Sequence, residues 1–307
     1  MKILILFLLP LWLLAEAHIF VLHRVDDFRY PTTDISSKFL EKDIKYLLSH
    51  NYKIVKLSTL VKRMENNESV DKYVVFNIDD SFKSFYKNGL PVFKKYHVPF
   101  TLFVYVESAD KHYGDFMNWK QIKDISKYGE LGVHSYSHPH LAKLSNKQVI
   151  KDTQKAINSF KKHLGYVPNM YAYPYGEYDK RVKKIINSYF KIICNQNSGA
   201  VDKNTPINDL DRIAITGNVN IAKKLKIGVL NVENFLVKKN KNTIEEIRGN
   251  VKHPYVHIYI TNLGWKKIKT NNGYFDYKPD FRLKTYRNRV IIRYNNKIKT
   301  KLILKEE

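Results

Sequence analysis

The sequence predicts an α/β protein: a parallel sheet covered by helices, followed by a small antiparallel β module. Two observations carry this. Over the first two thirds of the chain, β-type runs alternate with helical patterns. From about residue 254, short strands follow one another with turns between them. Strict alternation fits an open sheet or a barrel, and in either the chemistry gathers at the C-terminal ends of strands.

The elements follow in order. Residues 19–22 read as the first strand. Residues 37–50 read as a helix, with Leu40, Ile44, Leu47 and Leu48 on one face. A strand over 73–78 precedes a helix over 85–96 that carries Pro91 as an irregularity. Strands over 100–106 and 130–133 flank a helix over 119–127. Ser145 caps the next helix, to 164, with Gln148 at capping-box spacing. Strands over 170–173, 191–194 and 212–215 and a helix over 178–188 complete the alternation. In the tail, runs over 255–260, 274–277, 289–294 and 298–304 are separated by turn residues such as Asn271-Asn272-Gly273. The expected division is a signal peptide over 1–17, a main domain over 18–250 and an accessory module over 251–307.

The N-terminus has the form of a secretory signal. Met1-Lys2 precedes an apolar run over 3–14, then Ala15-Glu16-Ala17. The run falls short of the roughly 20 residues of a membrane span. The expected location is therefore periplasmic or secreted, with membrane association only if this segment stays uncleaved. The single cysteine, Cys194, rules out an internal disulfide and a cysteine-rich zinc knuckle. The net charge of +24 comes from lysines scattered along the chain, without a compact basic motif, so solvated faces account for it better than a nucleic-acid partner.

Three short stretches carry chemistry, each after a β-run. Asn77-Ile78-Asp79-Asp80-Ser81 sets two carboxylates at a strand end, where one can bind a metal and the other act as a base. Such a pair also commonly starts a turn. In His134-Ser135-Tyr136-Ser137-His138, two imidazoles four residues apart can share a divalent ion, or can be two surface histidines. Ala172-Tyr173-Pro174-Tyr175-Gly176 is a sharp turn able to present a backbone N–H.

In this order, the three stretches resemble the motifs of the polysaccharide deacetylases of carbohydrate esterase family four, the NodB homology domain. The resemblance covers residues 18–215. It implies a distorted (β/α) barrel of about seven strands. It implies that Asp80, His134 and His138 hold one divalent metal, zinc by preference, with cobalt or nickel able to replace it. Asp79 would be the general base, and the backbone N–H of Tyr175 an oxyanion donor. Pro174 and Tyr173 would line the substrate site. The partner implied is an N-acetylated polysaccharide, and the reaction is removal of its N-acetyl groups. The family's usual late acid histidine has no counterpart here, since His253 and His257 lie in the β-rich tail. Val21-Leu22-His23-Arg24-Val25 instead resembles the permuted poly-N-acetylglucosamine deacetylases, in which the acid histidine comes first, so His23 takes that role.

Two departures stand out. Ser81 replaces the first motif's glycine, and a serine would be strained there if the backbone takes positive φ. The third motif lacks its leading arginine, for which Arg212 is a candidate substitute. These departures keep two other readings open: a catalytically silent sugar-binding relative, and a metal-dependent O-acetyl esterase.

Overall fold

The computed structural model describes residues 16–306. Most of the proposed signal segment lies outside them. Glu16 and Ala17 lie inside and belong to the fold. Ala17 exchanges backbone hydrogen bonds with Val201 (2.8 and 2.9 Å), and the Glu16 carboxylate accepts from the Val229 N–H at 2.9 Å. Among the described residues no helix is long and apolar enough to cross a membrane.

The first two thirds form a distorted (β/α) barrel. Its parallel strands are β1 (His18–Leu22), β2 (Tyr73–Ile78), β3 (Thr101–Val104), β4 (Glu130–Val133), β5 (Met170–Ala172), β6 (Ile192–Cys194) and β7 (Ile213–Ala214). They lie side by side in the order β7-β1-β2-β3-β4-β5-β6, and a two-residue strand, Lys53–Ile54, also pairs with β2. Residues 207–214 cross from one end of this order to the other. Leu210 pairs with Ile193 and Asn195 of the β6 edge, then Ile213 and Ala214 pair with Phe20 and Val21 of β1. The ring thus closes through an irregular segment.

The strands β1, β2 and β3 are buried along their whole length, as expected of a parallel sheet covered by helices. The helix Ser37–Ser49 buries Leu40, Ile44 and Leu47, and Ser36 caps it by accepting from the Phe39 N–H. Pro91 sits in the first turn of Leu90–Lys95, directly after a π-helical turn, Phe85–Gly89, so the expected irregularity is a change of helical pitch. There the rings of Phe76, Phe85, Phe93 and Phe100 meet edge to face, with centroids 5.1–5.7 Å apart. A helix that the periodicity did not reveal, Leu57–Glu65, packs Leu57, Leu60, Val61 and Met64 under the sheet.

Antiparallel pairing begins at Glu233–Asn240 and Thr243–Asn250, ahead of the expected module boundary at residue 251. Those two strands are rich in Lys, Glu and Asn, so their alternation of burial is hard to see in sequence. They pair onward with Tyr274–Tyr277, while Tyr255–Ile260, Gly264–Lys269, Arg287–Tyr294 and Lys297–Leu304 form a second sheet. Between the sheets lies a separate core that includes Ile244, Ile247, Val256, Ile258, Phe275, Val290 and Ile292.

Candidate functional site

The site lies where the barrel strands end, as the fold requires. β2 ends at Ile78 and releases Asp79 and Asp80. β4 ends at Val133 and releases His134. β5 leads into the turn Pro174–Gly176, and β1 leads into His23. Four non-adjacent parts of the sequence therefore converge.

Asp80, His134 and His138 come together. Each offers one ligand atom, and the three atoms lie within 4.8 Å of one another. An Asp80 carboxylate oxygen is 3.3 Å from His134 Nε2 and 3.1 Å from His138 Nε2, and the two Nε2 atoms are 3.3 Å apart. The same oxygen, Oδ1, is buried without a hydrogen-bond partner. His134 Nδ1 faces the Ala172 carbonyl at 2.8 Å; as the donor there, it leaves Nε2 as a lone pair turned to the cluster. Two imidazoles and one carboxylate, with an orphaned oxygen at their centre, fit a divalent metal.

Asp79 is fully buried beside this cluster. Its two oxygens accept from Arg212 Nη1 and Nη2 at 2.8 and 2.9 Å, a bidentate pair with both side chains wholly enclosed. Arg212 Nε also donates to the Asn195 carbonyl at 2.7 Å. Burial pushes the Asp79 carboxyl up, but the Arg212 guanidinium, with help from His134 and His23, outweighs it and holds the group below its ordinary value. Asp79 is therefore ionised and fixed in orientation. The arginine absent from the third motif is supplied by the segment that closes the barrel. A lone cation opening the β-run Arg212-Ile213-Ala214-Ile215 was its signal in the sequence.

His23 stands near the two aspartates. Burial lowers its pKa, and the charges of Asp80 and Asp79 recover only part of that, so the ring is neutral at neutral pH. Its Nδ1 has no hydrogen-bond partner.

The backbone of the site is strained. Asp80 (φ 71°), Ser81 (62°), Ser135 (60°), His138 (51°) and Tyr175 (57°) all occupy the left-handed region without being glycine. Ser81 thus takes the conformation that glycine would take more easily, and Phe82 and Phe116 brace the turn that follows.

Two expected substrate contacts are corrected. The Tyr173 side chain is wholly buried, stacked on Tyr178 with centroids 4.6 Å apart, and Pro174 is buried as well. At the end of β5 their side chains turn into the packing, so they shape the turn and offer no surface to a polymer. The half-buried ring of Tyr175 is what borders the cluster, 4.6 Å from the His138 ring and stacked at 4.3 Å on His140.

Asp152 was missed. It lies on the helix Asn146–Leu164, whose sheet-facing side carries Val149, Thr153, Ala156 and Phe160. Its carboxylate accepts from the Tyr136 N–H, the Ser137 N–H (both 2.9 Å) and the Ser137 hydroxyl (2.7 Å). These bonds hold the loop between the two histidines. An acid inside an apolar helical stripe was the available signal. Asp152→Ala is expected to destabilise the fold by about 3 kcal/mol and to weaken metal binding roughly 10- to 100-fold. Denaturant titration and competition with a chelating dye measure the two effects separately.

Residues 66–189 match the family model described as polysaccharide deacetylase. The chain is 30% identical over 160 residues to a Staphylococcus epidermidis poly-beta-1,6-N-acetyl-D-glucosamine N-deacetylase, a match covering 48% of this chain and 54% of that protein. A Staphylococcus aureus protein of the same name is 28% identical over 155 residues, covering 46% and 53%. The chain thus spans about half the length of the curated relatives it matches. Among solved structures, the Streptococcus pyogenes deacetylase PplD in complex with acetate superposes with a TM-score of 0.61 at 20% identity, covering 66% of this chain and 92% of that one. IcaB from Ammonifex degensii gives 0.60 at 24% identity, with the same coverage. These two likenesses support the barrel fold.

Proposed function

We propose that this chain, which carries a polysaccharide deacetylase domain, hydrolyses N-acetyl groups from an N-acetylglucosamine polymer with the help of one divalent metal. The observation that carries the reading is the buried Arg212–Asp79 pair beside the Asp80, His134 and His138 cluster. An oriented, ionised base next to a metal-ligand set is what water attack on an unactivated amide requires. The staphylococcal relatives, named for deacetylation of poly-beta-1,6-N-acetyl-D-glucosamine, support the choice of polymer.

Asp80, His134 and His138 would hold the metal, zinc by preference. An ion held by these groups supplies Lewis acidity, activating water near neutral pH and polarising a carbonyl. Asp79 then takes the proton from the attacking water, within a site where Arg212 fixes its direction. The Tyr175 N–H donates to the developing oxyanion, a contribution on the order of 3 kcal/mol. His23, neutral in the resting site, accepts the proton that Asp79 has taken from the water and passes it to the leaving nitrogen, which returns Asp79 to its carboxylate. The protein would act outside the cytoplasm, with residues 1–17 as its export signal. With Arg212 beside Asp79, the orienting cation is present, which removes one motive for reading the chain as a silent sugar binder.

The test is acetate release from N-acetylglucosamine oligomers by zinc-loaded protein. Release is expected from wild type, with kcat lowered about 100-fold or more in His23→Gln and KM little changed. A protein that holds zinc and binds the oligomers yet releases no acetate would sink the proposal. Faster turnover of O-acetylated than of N-acetylated oligomers would reassign it as an esterase.

A further inference from the structure

The C-terminal β module reaches into the site through one side chain. Arg287 opens the strand Arg287–Tyr294, and its Nη2 donates to the Tyr175 carbonyl at 2.5 Å. Its Nε lies 3.3 Å from Glu177 Oε1, and the other oxygen of that wholly buried carboxylate meets His140 Nδ1 at 2.7 Å. His140 in turn stacks on the Tyr175 ring, and Tyr286 meets His140 edge-on with centroids 5.5 Å apart. Tyr175 is therefore gripped twice: its carbonyl by Arg287, its ring by His140.

The grip is built. The loop before Arg287 is tied by Asn288, which is fully buried and donates to the Thr285 carbonyl at 2.6 Å. The module is docked on the barrel near the β6 end, where the Leu302 N–H donates to Asn197 Oδ1 at 2.9 Å. Lys299 lies 3.9 Å from Asp211, the neighbour of Arg212. The gripped residue is the strained one, with Tyr175 at φ 57° and ψ 4°. A left-handed non-glycine residue stays there only when its surroundings hold it. Its N–H and its carbonyl belong to successive peptide planes, so fixing the carbonyl restricts where the N–H points.

We propose that Arg287 is a positioning residue: through Glu177, His140 and the Tyr175 carbonyl it holds the Pro174–Gly176 turn with the Tyr175 N–H presented to the reacting carbonyl. The accessory module is thus a structural part of the active site, although it donates no group to the metal cluster. This rests on the deacetylase reading for its consequence in turnover, but not for its consequence in backbone mobility.

Both consequences are measured on the full, zinc-loaded chain. In Arg287→Ala, kcat is expected to fall about 10- to 100-fold with KM unchanged, and added guanidinium ion is expected to restore part of it. Amide exchange in a peptide spanning residues 173–178 is expected to quicken about tenfold or more. Arg287→Lys keeps the charge but loses the planar fork, so it is expected to show the same changes in smaller measure and serves if the alanine variant does not fold. Arg248→Ala, which breaks an exposed 3.2 Å pair with Glu246 elsewhere in the module, is expected to change neither readout. Wild-type exchange over 173–178 in the Arg287 variants overturns the proposal, as does a rise in KM alone, which would make Arg287 a polymer contact. If wild type releases no acetate, the deacetylase reading fails, and the exchange measurement still decides on the grip.

Discussion

Arg212→Met is expected to lower kcat by a hundredfold or more and to destabilise the protein by about 3–5 kcal/mol. Both effects come from leaving Asp79 buried without its bidentate partner. In the intact protein the depressed carboxyl of Asp79 contributes stability at every pH above its unfolded value, lost as pH falls through the lower folded value. Without Arg212 the sign reverses. The carboxyl rises above its unfolded value, so its burial is unfavourable at neutral pH and is relieved by protonation as pH falls. Urea titrations at several pH values should show the variant's deficit shrinking towards acid pH. Its acid limb of kcat against pH should move to higher pH, because the base is now protonated more readily. Asp79→Asn added to Arg212→Met should recover part of the lost stability, since a neutral amide needs no cation. A variant as stable and as active as wild type would show that the pair is ornamental.

Stripping the metal with a chelator is expected to reduce turnover at least about a thousandfold, and zinc should restore it. The apo site also predicts how affinity varies with pH. Burial pushes the His134 pKa down, but Asp79 and Asp80 more than reverse this and leave it above the ordinary imidazole value. A proton on His134 thus competes with the metal. Its contribution to apo stability is fully present below the unfolded imidazole pKa and fades as pH rises through the folded one. Metal affinity should therefore weaken from pH 8 to pH 6, and binding should release protons. Calorimetry in two buffers of different ionisation enthalpy measures that release. An affinity independent of pH, or full turnover in chelated protein, would remove the cluster from the mechanism.

Much of this site was legible because its parts are local in sequence. Asp79-Asp80, His134 to His138 and Pro174-Tyr175 each follow a strand whose apolar run announces it, so their convergence follows from the fold. What escaped depends on long-range pairing. Arg212 is 133 residues from Asp79, and it could be suggested only because the third motif lacked a cation. Asp152 supports the histidine loop from a helix otherwise read as core packing. Tyr173 was assigned to substrate because motif position does not tell which way a side chain turns at the end of a strand; its neighbour Tyr178 decides that. The strands Glu233–Asn240 and Thr243–Asn250 were missed because their exposed faces are crowded with Lys, Glu and Asn.

The closing segment over residues 207–214 also sets an order of events. A growing polypeptide emerges from its N-terminus, so His23, both aspartates and both histidines are available before Arg212 has been synthesised. Until then Asp79 has no guanidinium to meet it, and β1 lacks its second neighbour. An unfinished chain that ends before residue 212 can neither seal the ring nor bury the Asp79 carboxylate against a cation. Closing the ring and pairing Asp79 with its guanidinium are therefore a single event, and a chain cut before residue 212 is expected to lack both.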